Sequence, residues 1–421
     1  MELDRRSLFA AGAGLGLAGA GAVSAGAGPR SIPSLGSTTL PLEIGTERPQ
    51  TEAIQKALDR SAEDGAPVIL PPGRFVTGAL TLRGSATLVG AHGATHLIAR
   101  DAEPLISGTS LAAVRLEGLT LDGQGFAEYL IRLESCGGLL TDCTILGARE
   151  AGIFALDSVE LVISYNRISD CLNNGVQVWR SVPGRDGTQV VSNRVEEVRA
   201  VNGGSGENGN GINIFRAGDV QVSGNTIRAC AYSAVRGNAA SNLQVIANTC
   251  RDLGEVAIYS EFGFEGAVIA QNIVDGAATG IAVTNFNEGG RLASVQGNLV
   301  RNLKRRLHEP VDKRGDGITV EADTAVSGNV IENVEATGIA IGWGRYMRNV
   351  VASGNIIRNA GVGIGITSNP AAGACLVSGN MLSGCRLGAI RAFDHDKIIG
   401  GELAHEDTST ERVRISGNVA S

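Results

Sequence analysis

Ten asparagines divide most of this chain into units of similar length. They are Asn166, Asn193, Asn225, Asn248, Asn272, Asn298, Asn329, Asn355, Asn380 and Asn418, mostly 23 to 27 residues apart, with a few intervals stretched to between 31 and 38. Each closes a Ser-Gly-Asn phrase or a close variant and is followed within two residues by an apolar side chain. Self-similarity at a fixed period is the signature of a repeat architecture, in which each unit contacts only its neighbours. It also decides which residues can face solvent together, and so where chemistry can sit.

A representative unit reads Ala352-Ser353-Gly354-Asn355-Ile356-Ile357-Arg358-Asn359, then Gly363-Ile364-Gly365-Ile366-Thr367. Two short β-prone runs are separated by turn residues, with no room for a helix. The second run returns as Gly175-Val176, Gly211-Ile212, Gly280-Ile281 and Gly317-Ile318, with apolar and variable residues alternating as in a half-buried strand. Stacked units bury the Ile/Val columns and satisfy backbone groups from coil to coil, which predicts a parallel β-helix. The 59 glycines and the scarcity of aromatics fit many tight turns between short strands. The asparagines read as a structural turn column: the residue tolerates left-handed backbone, and stacked amides can hydrogen-bond between coils.

The first 27 residues read as an export leader. Arg5-Arg6 precede Ser7-Leu8-Phe9 and a weakly apolar Ala/Gly/Leu run, with small-residue cleavage sites at Val23-Ser24-Ala25 or Ala25-Gly26-Ala27. This resembles a twin-arginine signal, which implies the twin-arginine export machinery as a partner and a periplasmic or secreted location. The expected layout is a leader over 1–27, a linker over 28–48 and a β-helix domain over 49–421. No later segment is apolar enough for a stable membrane span. A formal charge of −7 argues against nucleic acid, and only four of the 36 basic residues are lysine, so anion recognition would use guanidinium groups.

Export raises the question of disulfides. Cys171, Cys230 and Cys385 each lie five residues after a repeat asparagine, where other units carry Val198, Leu253, Ala277, Leu303, Val334 or Ala360. These three therefore read as small core residues. The pairing of Cys136, Cys143, Cys250 and Cys375 stays open.

The entry segment adds a family likeness. Gln50 to Arg60 carries apolar Ala53, Ile54, Ala57 and Leu58 at helical spacing, followed by Val68-Ile69-Leu70-Pro71-Pro72-Gly73-Arg74-Phe75 and Leu80-Thr81-Leu82. Here the chain resembles the pectate-lyase-like right-handed parallel β-helix superfamily, whose first coil is capped by such a helix. Leu119-Thr120-Leu121-Asp122-Gly123-Gln124-Gly125 is similar to a turn of polygalacturonase-like members. With its leader, the whole resembles a family of twin-arginine-translocated β-helix repeat proteins. The likeness covers about residues 45 to 421. It implies an all-β, single-stranded right-handed solenoid with an N-terminal capping helix. The superfamily holds lyases, hydrolases, epimerases and binders, so activity must come from the residues.

Inward positions belong to the core, so function falls to outward strand positions and inserted loops. The strand frame assigns outward pairs: Gln177 and Trp179, Asn213 and Phe215, Arg236 and Asn238, Tyr259 and Glu261, Ala282 and Thr284, Thr319 and Glu321. Beyond them lie the nearly bare pairs Ala340 and Gly342, then Gly365 and Thr367. Aromatic rings mixed with Arg, Asn and Glu suit sugars. Gln177, Trp179, Arg180, Asn213, Phe215, Arg216 and Asn238 are thus candidate substrate-binding residues. Arg236, Tyr259, Glu261 and Glu321 are the candidate catalytic residues: Tyr259 or an arginine as proton-transfer group, another arginine to hold a carboxylate, or Glu261 with Glu321 as a hydrolase pair. Arg236 and Glu261 also read as a simple ion pair across adjacent coils.

Insertions around Asn202–Asn210 and Lys304–Pro310 enter at the same corner four coils apart, ~19 Å along one edge. Loops Arg180–Thr188 and Asn285–Arg291 line the opposite edge. His92 and His96 fall in the capping region, and His395 lies between Asp394 and Asp396 in a C-terminal loop. The sequence carries no polygalacturonase acid cluster, aspartate-rich calcium site, phosphate loop, dinucleotide fingerprint or nucleophile elbow, so no metal or cofactor is expected. The functional expectation is an exported protein that binds a polysaccharide and cleaves or epimerises it, lyase before hydrolase. The alternative is a non-catalytic module for envelope glycans or proteins.

Overall fold

Each repeat unit lays down three short strands, and each strand pairs in parallel with its counterparts one unit earlier and one unit later. Around one stretch of the solenoid the three inward columns are Val190–Val222–Val245, Val195–Ile227–Cys250 and Ile212–Val235–Ile258. The column through Ile106, Ile131, Ile153 and their successors runs to Ile390, about twelve turns. The computed structural model describes residues 42–43, 48–204, 206–306, 315–404 and 408–421. The expected leader therefore lies outside the described residues, as do most of the linker, Ser205 of the first insertion and Leu307 to Pro310 of the second.

Two strands per unit were read from the sequence, and the third lies just before the repeat asparagine, as in Gln221–Ser223. It is hidden in the sequence because it runs directly into the Ser-Gly-Asn phrase or its variants, with three residues in some units and six in others. The capping helix runs Thr51–Asp64, four residues past the Gln50–Arg60 stretch, and stops where Gly65 takes φ +72°. Its Ile54 and Leu58 are fully buried against the first coil.

The asparagine column is a ladder of buried amides. From Asn193 to Asn418 the carboxamide oxygen of each accepts both the backbone N–H and the side-chain N–H of the asparagine one coil earlier, at 2.8–3.1 Å. Its own amide nitrogen reaches back to a strand carbonyl of the previous coil, as Asn272 does to Val245 at 2.8 Å. Cys143 begins the column, its N–H donating to Asn166 Oδ1 at 3.0 Å.

The left-handed residue is not the asparagine but the one before it. Gly224, Gly297, Gly328, Gly354, Gly379 and Gly417 all have φ near +64°, and Tyr165, Ser192, Ala247 and Gln271 adopt the same conformation. The phrase thus divides its labour. Glycine turns the corner, and asparagine fills the buried space that the turn opens.

All seven cysteines are free thiols, six of them buried and Cys385 partly so. Cys230 pairs in register with Val198, as the core column requires, and Cys250 sits between Ile227 and Val274. Burial pushes the thiols of Cys143, Cys171 and Cys250 up to about 12, which leaves them unreactive at neutral pH. The last full coil does not simply stop. Strand Ile390–Asp394 stacks in parallel on the preceding coil, then the chain reverses at His395 and returns antiparallel as Lys397–Glu402.

Candidate functional site

The outward strand face carries three columns, and their register matches the sequence-derived pairs. One column runs Gln177, Asn213, Arg236, Tyr259, Ala282, Thr319, Ala340 and Gly365. The second, two residues on, includes Trp179, Phe215, Asn238 and Glu261, and the frame extends it to Thr284, Glu321, Gly342 and Thr367. The third lies two residues before the inward isoleucines and includes Asn174, Asn210, Val256, Thr279 and Asp316, then Thr337 and Val362.

The candidates fall into three groups along this face. Trp179 and Phe215 meet edge-to-face at 5.7 Å and extend a row through Phe154 to Tyr129. Arg216 lies over Phe215 at 4.6 Å, and Arg180 turns back on its own loop, 3.3 Å from the Val182 carbonyl. Gln177 and Asn213 are buried, because the first insertion folds down instead of standing beside a cleft. Asn174 and Asn213 both donate to the Glu207 carbonyl, at 3.2 and 3.0 Å, and Asn210 donates to Gly206 at 2.8 Å. Gly206 lies so close over Arg236 that a Cβ there would overlap the guanidinium.

Beneath that loop is the second group. Arg236 holds Glu261 in a two-pronged pair at 2.6 and 2.8 Å and reaches Glu255 at 3.1 Å, while Asn238 donates to Glu261 at 3.0 Å. Arg236 is 7% exposed and Glu261 2%, so both face each other and not solvent. Burial alone would weaken the Arg236 charge, but Glu261 and then Glu255 hold the guanidinium above its ordinary value. Burial raises the Glu261 carboxyl despite that partner.

The third group lines open space. A cavity of about 620 Å³ begins at Tyr259 and passes over Ala282, Thr319 and Ala340 to the C-terminal hairpin. Of the four candidate catalytic residues, Tyr259 and Glu321 line it and Arg236 and Glu261 do not. Tyr259 is half-buried with Arg236 5.1 Å from its ring centre, and burial followed by the Glu261 charge raises its phenol. Glu321 accepts the Phe286 N–H at 2.6 Å, which ties it to the loop carrying Asn285 and Asn287 on the cavity's rim. On the other rim stand Arg305 and Glu335, joined by a 2.8 Å bond from the Arg305 N–H to the carboxylate.

Several lining residues were not singled out from the sequence. Trp343 and Tyr346 close a tight turn by exchanging backbone hydrogen bonds at 3.2 and 3.0 Å. Asp316 accepts the Thr337 N–H at 3.0 Å within the floor. His395, expected in a C-terminal loop, sits at the hairpin turn with its ring 5.2 Å from Trp343 and its Nδ1 2.9 Å from Asp394. Among the described residues no cluster of three or more His, Cys, Asp or Glu is arranged to hold a metal ion. The available signal was the run of small outward residues, Ala282, Ala340 and Gly365, which marks where the face is left open.

Residues 129–300 match the family described as right handed beta helix region. No curated protein sequence matches the chain. Solved structures show the same fold. The N-terminal fragment of gene product 12 of bacteriophage phi29 aligns at a TM-score of 0.56 and 15% identity, over 87% of this chain and 68% of that one. The catalytic unit of a GH87 alpha-1,3-glucanase from Streptomyces thermodiastaticus strain HF3-3 aligns at 0.56 and 16%, over 95% and 70%. The periplasmic alginate epimerase AlgG aligns at 0.52 and 12%, over 88% and 82%. The chain folds as a right-handed parallel β-helix. No described helix is long and apolar enough to cross a membrane.

Proposed function

We propose that the open face from Tyr259 to the C-terminal hairpin binds a segment of a neutral polysaccharide and is the place where the protein acts on it. The observation that carries this reading is the bare floor of Ala282, Thr319 and Ala340 between Tyr259 and the aromatic groups Trp343, Tyr346 and Phe393. A cavity of this size with flat aromatic walls and polar rims matches what a sugar chain needs: rings to stack on and acceptors for hydroxyls. That a glucanase and an alginate epimerase share the fold supports a glycan in such a groove.

Charge favours a neutral sugar over a uronate. Among the described lining residues, Asp316, Glu321, Glu335 and Asp396 carry carboxylates against the single arginine Arg305. A lyase or epimerase acting on uronates needs cations to hold the substrate carboxylate, whereas glycoside hydrolysis runs on carboxylates. The lyase-first order suggested by the sequence used Tyr259 or an arginine for proton transfer and another arginine for the carboxylate, and Arg236 is engaged by Glu261 and Glu255 under the first insertion. Glu321 is the group we assign to the chemistry, with one oxygen fixed by the Phe286 N–H and its side chain on the groove.

Affinity electrophoresis against neutral glucans, mannan and xylan, with alginate and pectate as acidic comparators, tests this. The expected result is retention by a neutral polymer, new reducing ends, and loss of product but not of retention in Glu321→Gln. Retention without product supports the non-catalytic envelope module instead. Unsaturated, UV-absorbing ends from a uronate restore lyase chemistry, and no retention by any polymer overturns the glycan reading.

A further inference from the structure

The groove is stopped at both ends. At the N-terminal end the floor rises at Tyr259, and the next coil back presents Arg236, roofed by the loop through Gly206. At the C-terminal end the hairpin is let into the face through two glycines. Phe393 lies over Gly365, where a Cβ would come within 2.5 Å of its ring, and His395 lies over Gly344, where a Cβ would come within 2.7 Å of Nε2. The bareness of Gly365 is therefore taken up by the protein's own phenyl ring, while that of Ala282 and Ala340 is left to the cavity.

The hairpin is held from its base. Glu402 accepts four backbone N–H groups, from Ala389, Ile390, Leu403 and Ala404, at 2.7 to 3.0 Å. Arg391 donates to the carbonyls of Leu387 and Gly400, both at 2.7 Å, across the two arms. These bonds fix where Phe393 points, and of the residues they join only Leu387 lines the cavity.

We infer that this hairpin is an end wall, with Phe393 as its specificity-determining residue, so that the groove takes chain ends and short oligosaccharides and not the interior of a long chain. The inference rests on the glycan reading above and names the part of the polymer that the site recognises. From Tyr259 to Gly365, over which the Phe393 ring lies, there are four coil steps of ~4.8 Å, or ~19 Å, room for about three or four pyranose rings along the axis. Asp396 and Ile398 line the cavity beside Phe393, so a sugar at this position meets both an acceptor and an apolar surface.

Calorimetry with ladders of cello-, laminari- and manno-oligosaccharides from two to nine units tests it. Affinity is expected to rise to about three or four units and then stay flat, and the parent polymer to bind in proportion to its chain ends. In Phe393→Ala the plateau moves out by at least one unit, with the heptamer bound several-fold more tightly than by the wild type. Gly365→Ala, which pushes the phenyl ring off the floor, gives the same outward shift by a different route. Affinity that climbs steadily to nine units in the wild type overturns the end wall alone. So does a plateau left unmoved in both variants while Trp343 fluorescence shows the hairpin in place. Failure of every oligosaccharide and polymer to bind overturns the glycan reading, and the end wall with it.

Discussion

The outer face of this solenoid is filled along one half and bare along the other, although the same repeat builds both. From Tyr129 to Phe215 large rings stack on one another, and the next coil seals its charges in the Arg236–Glu261–Glu255 cluster under a folded loop. From Ala282 to Ala340 the column that carries Gln177, Asn213 and Arg236 in the filled half holds methyl groups and a threonine, and the face opens into the cavity. The inward columns barely differ between the halves, Ile153 and Val176 matching Ile318 and Ile339. Outward residues are thus free of the fold's demands, and a site is made here by leaving side chains out as much as by putting them in.

The largest effect expected from breaking this contrast is at Arg236. Arg236→Ala leaves Glu261 and Glu255 buried without their cation and should cost about 3–5 kcal/mol by urea unfolding. Adding Glu255→Gln and Glu261→Gln should recover a large part of it. An unchanged midpoint would show that the cluster is not sealed from water.

Next, Ala340→Trp turns bare floor into filled face. Glycan affinity should fall at least about tenfold, roughly 1.4 kcal/mol or more, with the melting temperature nearly unchanged, and retained affinity would place the ligand elsewhere. Trp343→Ala removes a wall and should weaken binding by about tenfold as well. Phe215→Ala in the filled half should leave binding untouched and cost about 1 kcal/mol of stability from the lost ring pair. A binding defect in Phe215→Ala would extend the site across both halves.

The smallest effect concerns acid. Burial raises the Glu402 carboxyl, but its four backbone donors outweigh that and hold it below its ordinary value. A depressed folded value means that its support for the hairpin is complete above the unfolded carboxyl range, near pH ~4.3, and fades as pH falls through the lower folded value. Trp343 fluorescence in a Trp179→Phe background should therefore change below about pH 4, and less so in Glu402→Gln. A flat titration would show that Glu402 does not pin the hairpin.

The fold was legible because its determinants are local and periodic. Counting from each asparagine placed Tyr259 beside Arg236 and Glu261 beside Asn238, and the strand register agrees. The reason given for the asparagines was half complete: the ladder was foreseen, but the left-handed turn belongs to the preceding residue. The site was harder because it depends on how loops lie. Nothing local in Gly203 to Asn210 says that the insertion folds onto Arg236, since its anchor Asn174 and Arg236 itself lie on neighbouring coils. Likewise the place of His395 follows from a chain reversal that brings it against Trp343, 52 residues earlier, outside the repeat frame. Periodicity reaches the strands and not their excursions.

The asparagine ladder makes length a free parameter of this architecture. Every rung presents the same acceptor backward and the same donors forward, so a whole coil is an interchangeable part, and one more or one fewer leaves the cross-section intact. Duplication or loss of a unit between Tyr259 and Phe393 would lengthen or shorten the open face by one step of ~4.8 Å while both of its ends kept their form. A lineage with this scaffold can therefore resize its site without redesigning it.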